Sequence, residues 1–435
     1  MRTTRSPTRS WSGSGERRPG AGPVTGPQIR RLTPDDDLAA DLDLARRAFG
    51  PFDATEGARR LVSASGSVAA GRHFGAFGGG RLLGSARFFD MVQWWHGRSL
   101  PMAGVAGVSV APEARGAGVG RALMTALLAE IAASGYPLSV LYPSTMTIYR
   151  TLGYEAAGGM YQVSMPARSL RALAPPDSSA AIPVDGGPAE SAPGLRRAGP
   201  DDAAEINAVT GRVHEAARDC GPVAFDPVVT RLLLDDQDLF CYLADDGFLG
   251  YGWSGGHREI VVYGAVAGSA ATARALWSVV ASHDSMAGTV RAFCSPADPV
   301  SWLTREPEVS LTRRYQWMLR VADAEAAIAG RGFPASAQAA VALRLDDGLL
   351  PANAGPWRLT VSGGKGTLSR LETDGSTSLP TAGPVILGAR GFAALYAGTP
   401  VGTLRLAGLA TGGDPAADAA LDAVFAGPAF MLAYF

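Results

Sequence analysis

Val105-Ala106-Gly107-Val108-Ser109-Val110 runs through Ala111-Pro112-Glu113-Ala114 into Arg115-Gly116-Ala117-Gly118-Val119-Gly120-Arg121, and this succession decides how the chain is read. The first six residues read as a strand, Ala111 to Ala114 break it, and Arg121 to Ala133 has the apolar spacing of a helix. Strand, loop and helix therefore follow one another directly. Gly116, Gly118 and Gly120 remove side chains where a backbone must approach a ligand, and the first helical turn points free N–H groups and a positive dipole end at it. With Arg115 and Arg121 at its ends, such a loop suits an anion such as a pyrophosphate. A P-loop needs Lys followed by Ser or Thr after its glycines, and Arg121-Ala122 stands there instead. A dinucleotide fingerprint needs a sixth-position glycine, and counting from Gly116 finds Arg121. A glycine turn without chemistry is the bland alternative.

Outward from this unit, Tyr136 to Tyr142 reads as a strand, followed by Ser144 to Arg150 and Leu152-Gly153-Tyr154-Glu155. Residues 1–27, rich in Arg, Ser, Pro and Gly, are expected to be a disordered tail. Residues 28–170 form a first domain and 171–194, all but lacking apolar periodicity, a flexible linker. Residues 195–330 form a second domain. Its start, Leu195-Arg196-Arg197-Ala198-Gly199-Pro200-Asp201-Asp202, echoes Ile29-Arg30-Arg31-Leu32-Thr33-Pro34-Asp35-Asp36, which suggests a duplication. Residues 331–435 alternate strands with Gly-rich turns and end on Phe430-Met431-Leu432-Ala433-Tyr434-Phe435, a terminus too apolar to leave in water.

Composition narrows the function. Of 435 residues, 47% are hydrophobic and 18% charged, as in a globular protein, and no apolar run approaches the length of a bilayer span. Lys and Arg number 39 against 40 Asp and Glu, so no basic field exists to hold a nucleic-acid backbone. Cys220, Cys241 and Cys294 stand apart, in neither a disulfide framework nor a zinc spacing. A reducing cytoplasm and no metal are expected. The histidines are scattered singly and receive no role.

The loop, the apolar helix after it and the Tyr149 to Glu155 segment resemble the acetyl-CoA loop and the Tyr-x-x-x-Gly-Phe/Tyr-Glu element of the GNAT N-acetyltransferase superfamily. Over roughly residues 29 to 435 the chain is similar to one branch, the Eis (enhanced intracellular survival) family. Leu100-Pro101-Met102-Ala103-Gly104-Val105, Ser134-Gly135-Tyr136-Pro137, Ile148-Tyr149 and Gln316-Trp317-Met318-Leu319-Arg320-Val321 carry that likeness. The fold class it implies is α/β (α+β): two tandem GNAT-type folds followed by a sterol-carrier-protein-like domain, the second fold being degenerate. The implied activity is transfer of acetyl from acetyl-CoA to amines of polycationic acceptors such as aminoglycosides, or of proteins. A homohexamer is implied too.

Carried over by position, Val108, Ser109, Val110, Arg115, Gly116, Ala117, Gly118, Val119, Gly120, Arg121, Ser144 and Thr145 would line the cofactor site. Tyr149 would be the general acid, since a phenol with pKa of about 10 stays protonated at neutral pH and can donate to a departing thiolate. The carboxyl of Phe435 would be the base. Packing of Tyr149 or Phe435 without a chemical role is the competing reading. Acceptor contacts are expected among Phe49, Asp53, Asp90, Trp94 and Trp95. A lipid carrier resting on the last domain and a non-catalytic acetyl-CoA sensor are the alternative functions.

Overall fold

The computed structural model describes residues 26–173, 194–304, 308–371 and 383–435. Nearly all of the expected tail and linker lies outside the described residues. The first unit comprises β1 (Gln28–Arg31), α1 (Leu38–Phe49), α2 (Ala54–Ala69), β2 (His73–Gly78), β3 (Arg81–Trp95), β4 (Arg98–Val110), α3 (Val119–Ala133), β5 (Leu138–Leu141), α4 (Met146–Arg150) and β6 (Glu155–Pro166). The second comprises β7 (Arg196–Ala198), α5 (Ala203–Ala217), β8 (Cys220–Phe225), α6 (Pro227–Leu234), β9 (Phe240–Ala244), β10 (Gly247–Ser254), β11 (Glu259–Ala267), α7 (Ala270–Ala281), β12 (Thr289–Cys294), α8 (Val300–Leu303) and β13 (Ser310–Val321). The third comprises α9 (Ala324–Gly330), β14 (Ala339–Asp346), β15 (Gly355–Ser362), β16 (Lys365–Arg370), β17 (Val385–Gly388), α10 (Ala389–Tyr396), α11 (Val401–Leu406), β18 (Ala410–Gly412) and α12 (Pro415–Val424).

Local chemistry explains the elements. In α3, Leu123, Leu127 and Ile131 recur at four-residue spacing and are buried, as an apolar stripe requires. In β15, Trp357, Leu359 and Val361 are buried while Arg358, Thr360 and Ser362 are not, the period of two of a strand with one covered face. Asp37 and Asp53 start α1 and α2 by accepting from the backbone N–H groups of Ala39 and Glu56.

The first two units share a 13-stranded sheet, along which the strands run β1-β2-β3-β4-β5-β13-β6-β12-β11-β10-β9-β7, with β8 pairing to β3. Its centre is an exchange. β13, from the end of the second unit, lies antiparallel between β5 and β6 of the first, and β6 pairs antiparallel with β12 of the second. The pattern is the same outward from that centre in both directions, since β4 runs parallel to β5 and β11 parallel to β12. The units therefore cannot be cut apart without opening the sheet.

The third unit is a five-stranded sheet ordered β16-β15-β14-β17-β18. Its apolar side chains merge with Met91, Trp95, Met102, Leu138 and Trp317 of the large sheet into one core. Within that core the Nη2 of Arg320 donates to both carboxylate oxygens of Asp347, at 2.6 and 2.7 Å, fixing the third unit to the end of β13. The helix α9, which the sequence assigned to the second domain, packs against β16 and so joins the third sheet.

Candidate active site

β4 pairs with β5 only from Met102 opposite Leu138 to Val105 opposite Leu141. Beyond that point β4 continues along β3 alone, so the backbone of Val108, Ser109 and Val110 borders a widening gap between two parallel strands. A bulge marks the parting. Register with β3 slips between Ser85 and Arg87, and Gly107 has φ +63°, a conformation that favours glycine.

The loop after β4 divides its glycines between two tasks. Gly116 and Gly118 have φ +82° and +80°, and a Cβ on either would meet nothing within 4 Å, so open space lies before the loop. Gly118 is the N-cap of α3 and offers no side chain to the helix N–H groups. At Gly120 a Cβ would lie 3.2 Å from Ile148 and 3.3 Å from Val110, so its absence seats α3 against both α4 and β4. Sequence reasoning gave all three glycines the ligand-approach role, whereas Gly120 is a packing residue. Arg115, Ala117 and Arg121 are exposed, Val119 is buried, and Ser144 and Thr145 are exposed on the opposite lip of the gap. Bare N–H groups, left-handed glycines and flanking arginines fit a pyrophosphate, and the open strand edge fits an extended pantetheine chain. Beyond Arg121 a cleft of about 530 Å³ continues towards the third unit, where Arg150, Asp347 and Arg390 also line it.

Tyr149 lies on α4, is 6% exposed, and packs edge-on to Tyr154 at 6.1 Å between ring centres. Burial pushes its phenol up to about 12, so it stays protonated. Phe435 arrives from the far end of the chain. Gly158 and Gly221 leave room for the incoming backbone, since a Cβ at either would collide with the carbonyl of Ala429 or Phe430. The Phe430 N–H then donates to the Cys220 carbonyl at 2.9 Å, the Met431 N–H to that of Gly159 at 3.0 Å, and the Tyr142 hydroxyl to that of Ala433 at 2.9 Å. So guided, the Phe435 ring comes to lie against Gly104, whose Cβ would be 3.0 Å from it, one residue before β4 and β5 part. Tyr149 shares the core of Ala103, Val105 and α3, while Phe435 packs with Phe89 and Phe225 beside the other core. Two groups far apart in the sequence thus lie on opposite faces of the sheet near the point where β4 and β5 part.

The expected acceptor contacts fare differently. Phe49 is 49% exposed at the end of α1, but Trp95 is wholly buried among Trp317 and Tyr396. Trp94 packs against His214. Asp53 is occupied as the cap of α2, and Asp90 pairs with Arg72 at 3.1 Å. Sequence reasoning missed Tyr142, which anchors the terminal segment, and Arg87, which lies under the bulge. Neither carries a local signal, for each is one more residue of an alternating strand.

Among the described residues no group of three or more His, Cys, Asp and Glu is placed to hold a metal, and no helix is long and apolar enough to cross a membrane. Comparison with known proteins gives the arrangement a family. A family profile described as Acetyltransferase (GNAT) domain matches residues 28–157, a second of the same description matches 230–321, and a Sterol carrier protein domain matches 324–433. A GCN5-related N-acetyltransferase from Kribbella flavida of known structure is 42% identical, with a TM-score of 0.85 over 95% of this chain and 100% of that one. Eis1 from Mycobacterium abscessus is 26% identical, with a TM-score of 0.72 over 94% of this chain and 100% of its own. An uncharacterised N-acetyltransferase of Streptomyces avermitilis is 28% identical over 401 residues, 86% of this chain and 93% of the relative. The chain belongs to the GCN5-related N-acetyltransferases, acyltransferases that use acetyl-CoA, and within them to the Eis-type branch in which two GNAT domains precede a sterol carrier protein domain.

Proposed function

We propose that this enzyme moves acetyl from acetyl-CoA to an acceptor amine at the gap between β4 and β5, with Tyr149 as general acid and the Phe435 carboxyl as base. The observation that carries the reading is the parting of the two strands at Val105 and Leu141, with Tyr149 on one side of the sheet and Phe435 on the other. Acetyl-CoA, as substrate, supplies the activated thioester. Arg115 to Arg121 would take its pyrophosphate, with Ser144 and Thr145 on the opposite lip, and the backbone of Val108 to Val110 would hold pantetheine and the acetyl oxygen. The acceptor ammonium gives its proton to the Phe435 carboxyl. The freed nitrogen bonds to the acetyl carbon, the carbon–sulfur bond breaks, the thiolate takes the Tyr149 proton, and the second proton that the nitrogen sheds on becoming an amide passes through solvent to restore the Tyr149 phenol. A terminal carboxyl with an ordinary pKa of about 3.5 serves as base only where apolar surroundings raise it, and the Phe435 side chain is held among the rings of Phe225 and Tyr142.

Polycationic acceptors such as aminoglycosides are the class the family resemblance brings, together with assembly as a cytoplasmic homohexamer. Thiol release from acetyl-CoA with an aminoglycoside panel tests the chemistry. Tyr149→Phe is expected to lower kcat about 100-fold or more, the range of a lost acid catalyst, with KM for acetyl-CoA little changed. A chain extended beyond Phe435 should lose turnover while still binding acetyl-CoA. Full activity in the extended chain would remove Phe435 as base.

A further inference from the structure

β3 alternates across the sheet, so Ala86 and Phe88 enter the core beneath α3 while Arg87 and Phe89 turn to the face that carries Phe435. Phe89 packs beside the cluster that takes in Phe225 and Phe435, and the Arg87 guanidinium lies 5.8 Å from the centre of its ring. Arg87 also sits directly under the bulge. A side chain at Gly107 would lie 3.4 Å from its guanidinium carbon and Nη1, so glycine there leaves room for the cation. Its Nε is enclosed without any hydrogen-bond partner. Asp41, the carboxylate whose field it feels, is turned to His73 at 3.5 Å. An Nε–H enclosed without a partner carries a desolvation cost that the half-buried Arg87 does not recover within the chain, and arginine does not shed its charge to escape it.

The surrounding helices add positive charge. Arg60 on α2 stands in the same field, and Arg46 and Arg60 each lie 4.9 Å from the ring of Phe52. Glu56 pairs with Arg60 at 2.7 Å, while Asp53 and Asp90 are spent on the α2 cap and on Arg72. A polycation approaching the bulge from this face meets guanidinium groups, with the nearby carboxylates already engaged. A ligand with an oxyanion completes the set.

We propose that Arg87 determines acceptor specificity, pairing with an oxyanion, carboxylate or phosphate monoester, carried a few bonds from the amine that is acetylated. The inference rests on the acyl-transfer reading above and names its acceptor as a small amino acid or amino phosphate in place of a polycation. A fork of guanidinium donors suits either anion.

The test measures kcat/KM by thiol release from acetyl-CoA for matched acceptors: amino acids against their amides, phosphoethanolamine against ethanolamine, and aminoglycosides. In the wild type the anionic member of a pair should be preferred about tenfold or more, the effect of one buried charge pair, and Arg87→Gln should collapse that ratio through KM while Arg87→Lys keeps part of it. Preference for amino acids identifies a carboxylate, and preference for phosphoethanolamine a phosphate. Turnover of aminoglycosides or neutral amines alone, or an unchanged ratio in Arg87→Gln, would overturn the assignment and leave the acetyltransferase reading standing. A readout without turnover is the melting-temperature shift on adding N-acetylated amino acids or N-acetylphosphoethanolamine. A shift lost in Arg87→Gln supports the site, and no shift in the wild type sinks it. Failure to bind acetyl-CoA in calorimetry would instead remove the catalytic reading itself.

Discussion

The two GNAT units start the helix after their bulged strand in opposite ways. α3 begins at Gly118, with φ +80° and no side chain over its N–H groups. α7 begins at Ser269, whose hydroxyl accepts from the Thr272 N–H at 3.2 Å. Asp246 closes the same spot, its carboxylate taking the Thr272 hydroxyl and its carbonyl accepting from the Gly268 N–H at 2.7 Å. Both units keep the parallel strand pair and the bulge, which in the second lies where register slips between Gly250 and Tyr251. An anion meets bare donors and arginines in the first unit, a satisfied cap and a carboxylate in the second. The sheet geometry is shared, and the helix starts differ in whether their N–H groups are bare or capped. The second unit also places Trp302 of α8 after β12, where the first has Tyr149 of α4.

The comparison breaks most visibly where the units share strands. A chain ending at residue 173 lacks β13, whose Trp317, Met318 and Leu319 are wholly buried, and should show no cooperative thermal transition. Co-expression with residues 194–435 should restore one. A soluble, cooperatively melting fragment would mean the exchange is dispensable.

Next in size is the helix start itself. Gly118→Val forces a β-branched residue into left-handed backbone at a cost of about 1–2 kcal/mol and fills the space before the loop. KM for acetyl-CoA should rise about tenfold or more, with helical circular dichroism retained. An unchanged KM would place the pyrophosphate elsewhere.

The smallest effect is expected in the second unit. Ser269→Ala with Asp246→Ala removes the α7 cap, worth about 1 kcal/mol, and should lower the melting temperature slightly. Calorimetry should still find a single acetyl-CoA bound per chain. A second binding event would show that the cap alone had silenced this unit.

Much of the site was legible because its signals are local. Three alternate glycines after a strand and before an amphipathic helix predict the anion-facing turn, and Gly116 and Gly118 have the left-handed φ that the turn demands. Gly120 misled, because a glycine needed for packing against Ile148 and Val110 looks in sequence like one needed for a ligand. Asp53 and Asp90 show a further limit, because a carboxylate that caps a helix or pairs with an arginine is the same residue type as one left for a ligand until its partner is seen.

By itself the sequence determined the strand, loop and helix of the first unit and the α/β architecture of three units. These follow from backbone preferences and apolar periodicity, which act over a few residues. Only the tertiary structure decided that β13 crosses into the first sheet, that Phe435 reaches Gly104, and that the Nε of Arg87 is enclosed beside the bulge without a partner. The first two depend on which segments become neighbours across more than a hundred residues, and the third on a register slip between adjacent strands, whereas strand alternation specifies which face a side chain takes while leaving its neighbour open.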